Sequence, residues 1–239
     1  MHAMILAAGR GTRLGRMTAV TPKPMIALGG KPILEHTLGW LRRNGIRDIV
    51  INLHHHGERI RSYFGNGSRF GVRLCYSVES ELLGTAGALV PVRDRFTSTF
   101  LVVYGDNLFD CDVRRLVAWH RDRGAMATMA LHERADARQS GVVRLDEGSR
   151  IVGFVEKPGA ARAFSGLVNA GLLVFEAGML AAIPGDRPSD LSYDVIPHLL
   201  REGRRLYGYV VREPECVFPV DTPEDYARTC ALAAARAAR

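Results

Sequence analysis

Short apolar runs alternate with amphipathic segments along most of the chain, and this alternation predicts β-strands separated by helices. Strands are predicted at residues 4–8, 46–53, 72–78, 100–104, 126–132, 168–175, 206–211 and 217–220, and a hairpin at 142–145 and 151–155. Helices are predicted at residues 32–43, 56–64, 85–92, 113–121 and 191–201, with an alanine-rich closing helix at 223–239.

Repeated β-α-β units imply a central, largely parallel sheet with helices on both faces, that is, a three-layer α/β/α arrangement. The hairpin after residue 140 makes the sheet mixed and indicates an inserted β-rich substrate lobe. The sequence contains neither an internal repeat nor a low-complexity tract. We therefore expect one domain over residues 1–239.

The composition is typical of an ordinary soluble globular protein, with 47% hydrophobic and 24% charged residues. The apolar runs fall well short of the ~20 residues that a membrane helix needs, and no secretory leader is evident. Cys75, Cys111, Cys216 and Cys230 are far apart and form no metal-binding pair. We expect a protein of the reducing cytoplasm, without disulfides, zinc or membrane contact.

The charge balance is basic, since 32 Lys+Arg against 25 Asp+Glu give +7. Three of the basic residues are lysines, Lys23, Lys31 and Lys157, and each precedes a proline. A basic chain could bind nucleic acid, but the arginines are scattered and aromatic residues make up 8%. No nucleic-acid partner is expected, and a lysine among so many arginines indicates a site where a compact ammonium matters.

A glycine-rich segment, Leu6-Ala-Ala-Gly-Arg-Gly-Thr-Arg-Leu14, follows the first predicted strand. It is neither a Walker A loop nor the dinucleotide fingerprint, because its glycine spacing differs from both. Residues 1–34 contain five Lys or Arg and no acidic residue. A flexible backbone within a cationic segment suits a triphosphate, although a tight turn with surface arginines is the structural alternative.

Several further motifs follow in order along nearly the whole chain. They are residues 21–25 (TPKPM), 83–89 (LGTAGAL), 103–108 (VYGDNL), 154–158 (FVEKP), 169–171 (NAG), 194–197 (DVIP) and 220–225 (VDTPED). With the glycine loop, they closely resemble the signature of the sugar-1-phosphate nucleotidyltransferases. The resemblance implies a Rossmann-like fold in which residues 1–110 mainly bind nucleotide and residues 111–225 mainly bind sugar phosphate.

The resemblance also implies roles for individual residues on the nucleotide side. The nucleotide would be bound by Leu6, Ala8, Gly9, Gly11, Thr12, Arg13, Glu79, Gly84, Thr85 and Gly87. Arg13, Lys23 and Asp106 would be catalytic, with Lys23 reaching the α-phosphate. Glu79 would read the base edge, and a plain loop carboxylate is its equal alternative.

On the sugar side the resemblance implies Asn107, Gly141, Glu156, Lys157 and Asn169 as ligands of the sugar phosphate. Asp106 and Asp221 each end an apolar strand, so both carboxylates would reach the crevice at the sheet edge and hold Mg²⁺. For Asp221, helix capping before Pro223 is the competing interpretation. His54-His55-His56 is interpreted as a strand-to-helix turn.

The implied reaction is NTP + sugar 1-phosphate → NDP-sugar + pyrophosphate, catalysed by an enzyme of the EC 2.7.7 type. The motif at 83–89 favours GTP with a mannose- or heptose-like 1-phosphate. A thymidylyl- or uridylyltransferase acting on glucose- or muramate-type 1-phosphates is the alternative. Transfer to a non-sugar acceptor and a non-catalytic nucleotide-sugar binding protein also stay open, as does homodimer formation.

Overall fold

The computed structural model describes residues 1–9, 11–18, 20–159 and 164–237, and for residues 12, 13, 16 and 232–237 it describes the backbone alone. The strands are β1 (His2–Leu6), β2 (Ala27–Leu28), β3 (Lys31–Pro32), β4 (Asp48–Leu53), β5 (Arg73–Val78), β6 (Phe100–Tyr104), β7 (Asn107–Asp110), β8 (Ala127–Glu133), β9 (Gly141–Leu145), β10 (Ile151–Glu156), β11 (Leu167–Phe175), β12 (Leu206–Val210) and β13 (Cys216–Pro219). The α-helices are α1 (Ile33–Arg43), α2 (Gly57–Phe64), α3 (Gly84–Gly87), α4 (Val113–Asp122), α5 (Ile196–Arg201) and α6 (Pro223–Ala237).

The chain folds into two compact units, each assembled from separate stretches of sequence. We call them the loop unit, which comprises His2–Leu82, Tyr104–Asp110 and Val217–Arg239, and the hairpin unit, which comprises Met1, Leu83–Val103 and Cys111–Cys216. The expected division of binding roles at residue 110 is a separate matter and stays a prediction. That one domain spans residues 1–239 stays a prediction.

Parallel strands form the sheet of the loop unit. β1 pairs with β4, and β4 pairs with β5, both in parallel. The chain passes from β1 to β4 through α1 and from β4 to β5 through α2, so both connections are the predicted β-α-β units. α1 follows Pro32, whose fixed φ suits a helix start, and buries Ile33, Leu34, Leu38 and Leu41 on one face.

Antiparallel pairing dominates the hairpin unit. β11 pairs antiparallel with β6, β8 and β9, while β12 lies parallel to β8. β9 and β10 form the predicted hairpin, closed by a bond from the Asp146 N–H to the Arg150 carbonyl. The mixed α/β fold class is thus confirmed, with parallel pairs in one unit and a largely antiparallel arrangement in the other.

Two differences from the sequence prediction have local causes. The helix predicted over residues 85–92 is two short pieces, α3 and a 3₁₀ helix at Val90–Arg95, because Pro91 lacks the N–H that would continue α3. The short strand β7 was not predicted, since its sequence reads as a turn after β6. None of the described helices is both long and apolar enough to cross a lipid bilayer.

Candidate active site

The centre of the site is an ion-pair cluster of one lysine and two aspartates in the loop unit. The Lys23 Nζ donates to Asp106 Oδ2 at 2.7 Å and to Asp221 Oδ1 at 3.0 Å. The lysine side chain is 7% exposed, and those of the aspartates are 30% and 19% exposed. Three residues predicted separately as catalytic or metal-binding therefore lie in direct contact.

A stiff backbone holds the lysine in place. Lys23 begins a short 3₁₀ helix, Lys23–Met25. The residue before it, Pro22, has an extended backbone, and the residue after it, Pro24, lies in the first turn of this helix. Gly11 packs against it so closely that a Cβ there would lie 2.9 Å from the Lys23 Cβ. Gly11 also has a φ of 62°, in the left-handed region that favours glycine. The glycine loop therefore shapes the position of the lysine as well as its own turn.

Each aspartate is placed by the end of a strand. Asp106 follows Gly105, whose N–H donates to the Leu6 carbonyl at 2.9 Å at the end of β1. Asp221 follows Val220, which is fully buried in a cluster with Leu14, Ile26, Leu28 and Ile33. Burying each such side chain contributes roughly 1.5–3 kcal/mol, so this apolar cluster fixes the loop, the lysine segment and Asp221 together.

The residue after Asp221 makes a capping contact at the start of α6. The Asp225 N–H donates to Thr222 Oγ1 at 3.1 Å, so the threonine caps α6. Asp221 is one residue earlier and pairs with Lys23 instead. Its carboxylate is therefore directed to the ion-pair cluster.

Burial alone would lower the pKa of Lys23, because it removes water from the ammonium. The attraction of Asp106 and Asp221 and their hydrogen bonds outweigh this effect and raise the pKa above its ordinary value. Lys23 is accordingly charged throughout the physiological range. One ammonium against two carboxylates leaves the cluster with a formal charge of −1.

The chemistry of the two carboxylates fits a magnesium ion. One oxygen of each carboxylate contacts the same Lys23 ammonium, so the two carboxylates lie close together. Mg²⁺ is commonly held by one or two carboxylates together with substrate phosphates and water. Within the described residues, no group of three or more His, Cys, Asp or Glu side chains could enclose a metal. Asp106 and Asp221 would thus hold the ion jointly with a phosphate-bearing substrate.

The start of the glycine loop is open on its outer side. A Cβ at Gly9 would meet nothing within 4 Å, and Gly9 is exposed. Leu6 ends β1 and Ala8 is buried directly before the loop. The backbone at Gly9 is thus accessible to a phosphate. The predicted side-chain roles of Thr12 and Arg13 lie outside the described side chains.

Glu79 belongs to a buried polar network in the loop unit. It follows β5, is 5% exposed, and its Oε1 accepts a bond from Asn52 Nδ2 at 2.7 Å. Asn52 Oδ1 in turn accepts from the Ala7 N–H at 2.8 Å. The three histidines lie between the end of β4 and the start of α2, which is the expected strand-to-helix turn. The Nδ1 of His54 lies 3.0 Å from the Glu79 carbonyl oxygen.

The predicted base-contacting turn, Gly84 to Gly87, lies in the hairpin unit and is tied to a second loop. The N–H groups of Ala86 and Gly87 both donate to the Ser189 carbonyl at 3.0 Å. Thr85 Oγ1 donates to Asp190 Oδ2 at 2.7 Å and accepts from the Leu191 N–H at 2.8 Å. The side chain of Thr85 therefore anchors this turn, and any contact to a base would come from its backbone.

Gly141, Glu156, Lys157 and Asn169, four of the predicted sugar-phosphate ligands, also lie in the hairpin unit. Gly141 faces Glu156 across the hairpin, and a Cβ there would lie 2.7 Å from Glu156 Oε2. The fifth, Asn107, is buried at the start of β7 in the loop unit, directly after Asp106. The hairpin glycine thus makes space for a carboxylate.

Lys157 has an unusual backbone. Its φ is 47°, although it is not glycine and precedes Pro158. Its side chain is 47% exposed, and Nζ lies 3.9 Å from Glu156 Oε1, a loose ion pair. Left-handed backbone at such a residue costs about 1–3 kcal/mol and concentrates at functional sites. The strain favours a ligand-binding role over a simple ion pair at the end of the hairpin.

Asn169 has a structural role in addition to the predicted one. Its Oδ1 accepts from the Gly171 N–H at 2.9 Å, where the register of β11 against β8 shifts. The side-chain carbonyl therefore closes a bulge inside a strand. The predicted contact to sugar hydroxyls stays a prediction, and its donor would be the amide nitrogen.

Sequence reasoning missed two polar residues that organise these segments. Asn52 is buried near the end of the apolar strand β4, and a polar residue at that position was the available signal. Asp190 accepts from the Ser192 and Tyr193 N–H groups, at 2.7 and 3.2 Å, besides holding Thr85. Nothing in the local sequence links it to a threonine 105 residues away.

The chain resembles a family model and curated proteins in sequence. Residues 2–214 match the model of the nucleotidyl transferase family. The chain is 39% identical to a UTP–glucose-1-phosphate uridylyltransferase of Synechocystis, over 87% of this chain and 57% of the relative. It is 34% identical to a mannose-1-phosphate guanylyltransferase of Mycobacterium tuberculosis, over 95% of this chain and 63% of the relative. The chain thus spans about three fifths of the length of these curated relatives.

Solved structures agree as well. A Bacillus anthracis crystal structure assigned as a glucose-1-phosphate thymidylyltransferase, in complex with a sucrose, superimposes with a TM-score of 0.87 at 26% identity. The superposition covers 98% of this chain and 95% of that one, and it bears out the Rossmann-like fold. The family match, the order of the motifs along the chain and this superposition together show that the chain belongs to the nucleotidyl transferase family.

Proposed function

We propose that the chain is a sugar-1-phosphate nucleotidyltransferase. In the reaction, a phosphate oxygen of the sugar 1-phosphate forms a bond to the α-phosphorus of an NTP. The bond from the α-phosphorus to the bridging oxygen breaks, and the electron pair leaves with pyrophosphate. The observation that carries the proposal is the contact of Lys23 with Asp106 and Asp221 beside a glycine loop. It brings together one ammonium and two carboxylates, which are the charged groups that displacement of pyrophosphate at the α-phosphorus needs.

The chain contributes position and charge rather than a covalent intermediate. The backbone of Gly9 and Gly11 would receive the triphosphate, and Lys23 would stabilise the charge that develops around the α-phosphate. Lys157, next to the loosely held Glu156, would bind the sugar phosphate. The compact Lys23 ammonium suits a position bounded by two carboxylates and Gly11.

Asp106 and Asp221 would hold Mg²⁺. The ion, when bound, neutralises phosphate charge and orients the leaving group. The formal charge of −1 on the Lys23 cluster supports this assignment, because net negative charge attracts a divalent cation.

GTP with a mannose- or heptose-like 1-phosphate is the proposed substrate pair. The buried Glu79 carboxylate supports it, since guanine offers two adjacent N–H donors on one edge, which match a carboxylate. The similarity to a mannose-1-phosphate guanylyltransferase supports it too. A UTP enzyme acting on glucose 1-phosphate is the second candidate, favoured by the similarity to a uridylyltransferase.

The decisive experiment is a matrix of five NTPs against a panel of sugar 1-phosphates, scored by pyrophosphate release. We expect release in at least one combination, and the Asp106→Asn variant should lose it while still unfolding in a cooperative transition. The exposed Asp94 provides the control, since Asp94→Asn should retain full activity. An active Asp106→Asn enzyme would contradict the metal assignment.

Nucleotide-sugar binding without turnover in every combination would instead favour the non-catalytic candidate. Residence in the cytoplasm and formation of a homodimer belong to the same proposal. The first is supported by four cysteines that form no disulfide. The second is checked by light scattering on the purified chain.

A further inference from the structure

The Asn52 side chain joins two segments of the loop unit that the proposed reaction uses for different parts of the nucleotide. Its Oδ1 accepts from the Ala7 N–H at 2.8 Å, two residues before Gly9. Its Nδ2 donates to Glu79 Oε1 at 2.7 Å. The orientation of the amide follows from its partners, because a backbone N–H needs an acceptor and a carboxylate needs a donor.

This link crosses the carboxyl ends of three adjacent parallel strands. Leu6 of β1 pairs with Asn52, and Asn52 pairs with Ser77 of β5. Ala7 lies just beyond the end of β1, and Glu79 lies just beyond the end of β5. The Glu79 N–H is also bonded to the Leu53 carbonyl at 2.8 Å, so backbone and side chain fix the same residue.

The link is buried and uses both ends of the amide. Asn52 is 4% exposed and Glu79 is 5% exposed. A carboxylate that accepts a short bond at Oε1 from a buried, rigid strand has a defined orientation. An unpositioned carboxylate in the same place could rotate and would distinguish poorly between a base edge with two N–H donors and one with a single N–H between two carbonyls.

We propose that Asn52 is a positioning residue for nucleotide selection: it sets the Glu79 carboxylate relative to the start of the glycine loop. The inference depends on the proposed function, because Glu79 and the loop are assigned to the same nucleotide. Asn52 itself acts through its two partners and is not assigned a contact with substrate.

The test exchanges the donor and acceptor of the buried pair. Asn52→Asp keeps an acceptor for the Ala7 N–H. It replaces the amide group that donates to Glu79 Oε1 with a carboxylate oxygen, so that two acceptors face each other. Adding Glu79→Gln restores a hydrogen bond with reversed polarity. Asn66 provides the matched control, because its Oδ1 also accepts a backbone N–H, from Ser68 at 3.1 Å, in an exposed turn of the same unit.

The readouts are calorimetric affinities for GTP, UTP and inorganic triphosphate with Mg²⁺, together with the unfolding temperature. We expect Asn52→Asp to bind the preferred nucleotide roughly tenfold more weakly or worse, and to lose most of its preference over the second-best nucleotide. The double variant should bind inorganic triphosphate as tightly as the wild type without recovering the base preference. Asn66→Asp should match the wild type in all three affinities.

Each result has a defined meaning. An Asn52→Asp protein that folds and keeps the wild-type base preference overturns the inference. Should that variant fail to fold, the double variant decides, and wild-type base preference in it overturns the inference equally. Failure of the proposed function appears differently, as a wild-type chain that releases no pyrophosphate in any substrate combination.

Discussion

Lys23 is the residue for which a change of side chain at constant charge is most informative. Its ammonium fits between two carboxylates, and its Cβ lies against Gly11, which leaves little space for the planar, forked guanidinium of arginine. We expect Lys23→Arg to lower the rate of pyrophosphate release about 100-fold or more, because misplacing a charge by about 1 Å has effects of that size.

Lys31→Arg is the matched control. Lys31 is 62% exposed, and its Nζ lies 3.4 Å from Oε1 of Glu35, four residues later, so its ion pair is of the weak surface kind. Its rate should stay within about twofold of the wild type. Equal rates in both variants would show that the position of Lys23 is unimportant.

His120 makes stability depend on pH from inside the hairpin unit. Its Nε2 lies 3.0 Å from Glu176 Oε1 and its Nδ1 lies 2.9 Å from Thr128 Oγ1. Burial lowers its pKa and outweighs the opposing effect of Glu176, so at neutral pH this contact is a hydrogen bond rather than an ion pair. Nε2 then carries the proton, and Nδ1 accepts from the threonine.

The sign of the pH effect follows from that shift. Below about pH 6.5 an unfolded histidine takes up a proton that the folded one resists, so the free energy of unfolding should fall by up to ~1.4 kcal/mol per pH unit until the folded pKa is reached. Denaturant titrations between pH 7 and pH 5 measure this slope. His120→Gln should reduce it, whereas replacing the exposed His198 with Gln provides the control. An unchanged slope in His120→Gln would disprove the assignment.

Among the elements, the turn at Gly84 depends most strictly on one residue. Its φ is 80°, and a Cβ there would overlap the Ser189 carbonyl oxygen. Gly84→Ala should therefore destabilise the protein by about 3 kcal/mol, from backbone strain and the displaced carbonyl. Thermal unfolding with Gly178→Ala as control measures it, because a Cβ at Gly178 would meet nothing within 4 Å. Similar unfolding temperatures in both variants would contradict the packing described.

Element by element, apolar patterning predicted what lies in the core. The strand β6 was predictable because it is a short continuous apolar run, and the helix α1 because its buried residues repeat at the helix period. The helix expected over residues 85–92 was wrong in extent, since Pro91 and the contacts to Ser189 override local propensity. Single-sequence patterns carry no information about such distant contacts.

At the scale of the whole molecule, the sequence could place Asp106 and Asp221 at strand ends and Lys23 in a stiff loop. It could not show that all three meet, because 83 and 198 residues separate the lysine from its partners. The same holds for Asn52 and Glu79, whose 27-residue separation is set by how β4 and β5 pair. The chemical role of each residue was thus predictable from the sequence, whereas the contacts that bring these residues together were not.

The interleaving of the two units has a consequence for how the protein is made. A ribosome adding about 5–20 residues per second reaches Asp221 roughly 10–40 s after Lys23. During that interval the nascent loop unit lacks Val220 from its apolar cluster and the second carboxylate beside the lysine ammonium. The early residues of that cluster, Leu14, Ile26, Leu28 and Ile33, must therefore wait, incompletely covered, for a late segment of the chain, and a chaperone that shields them has a defined period in which to act.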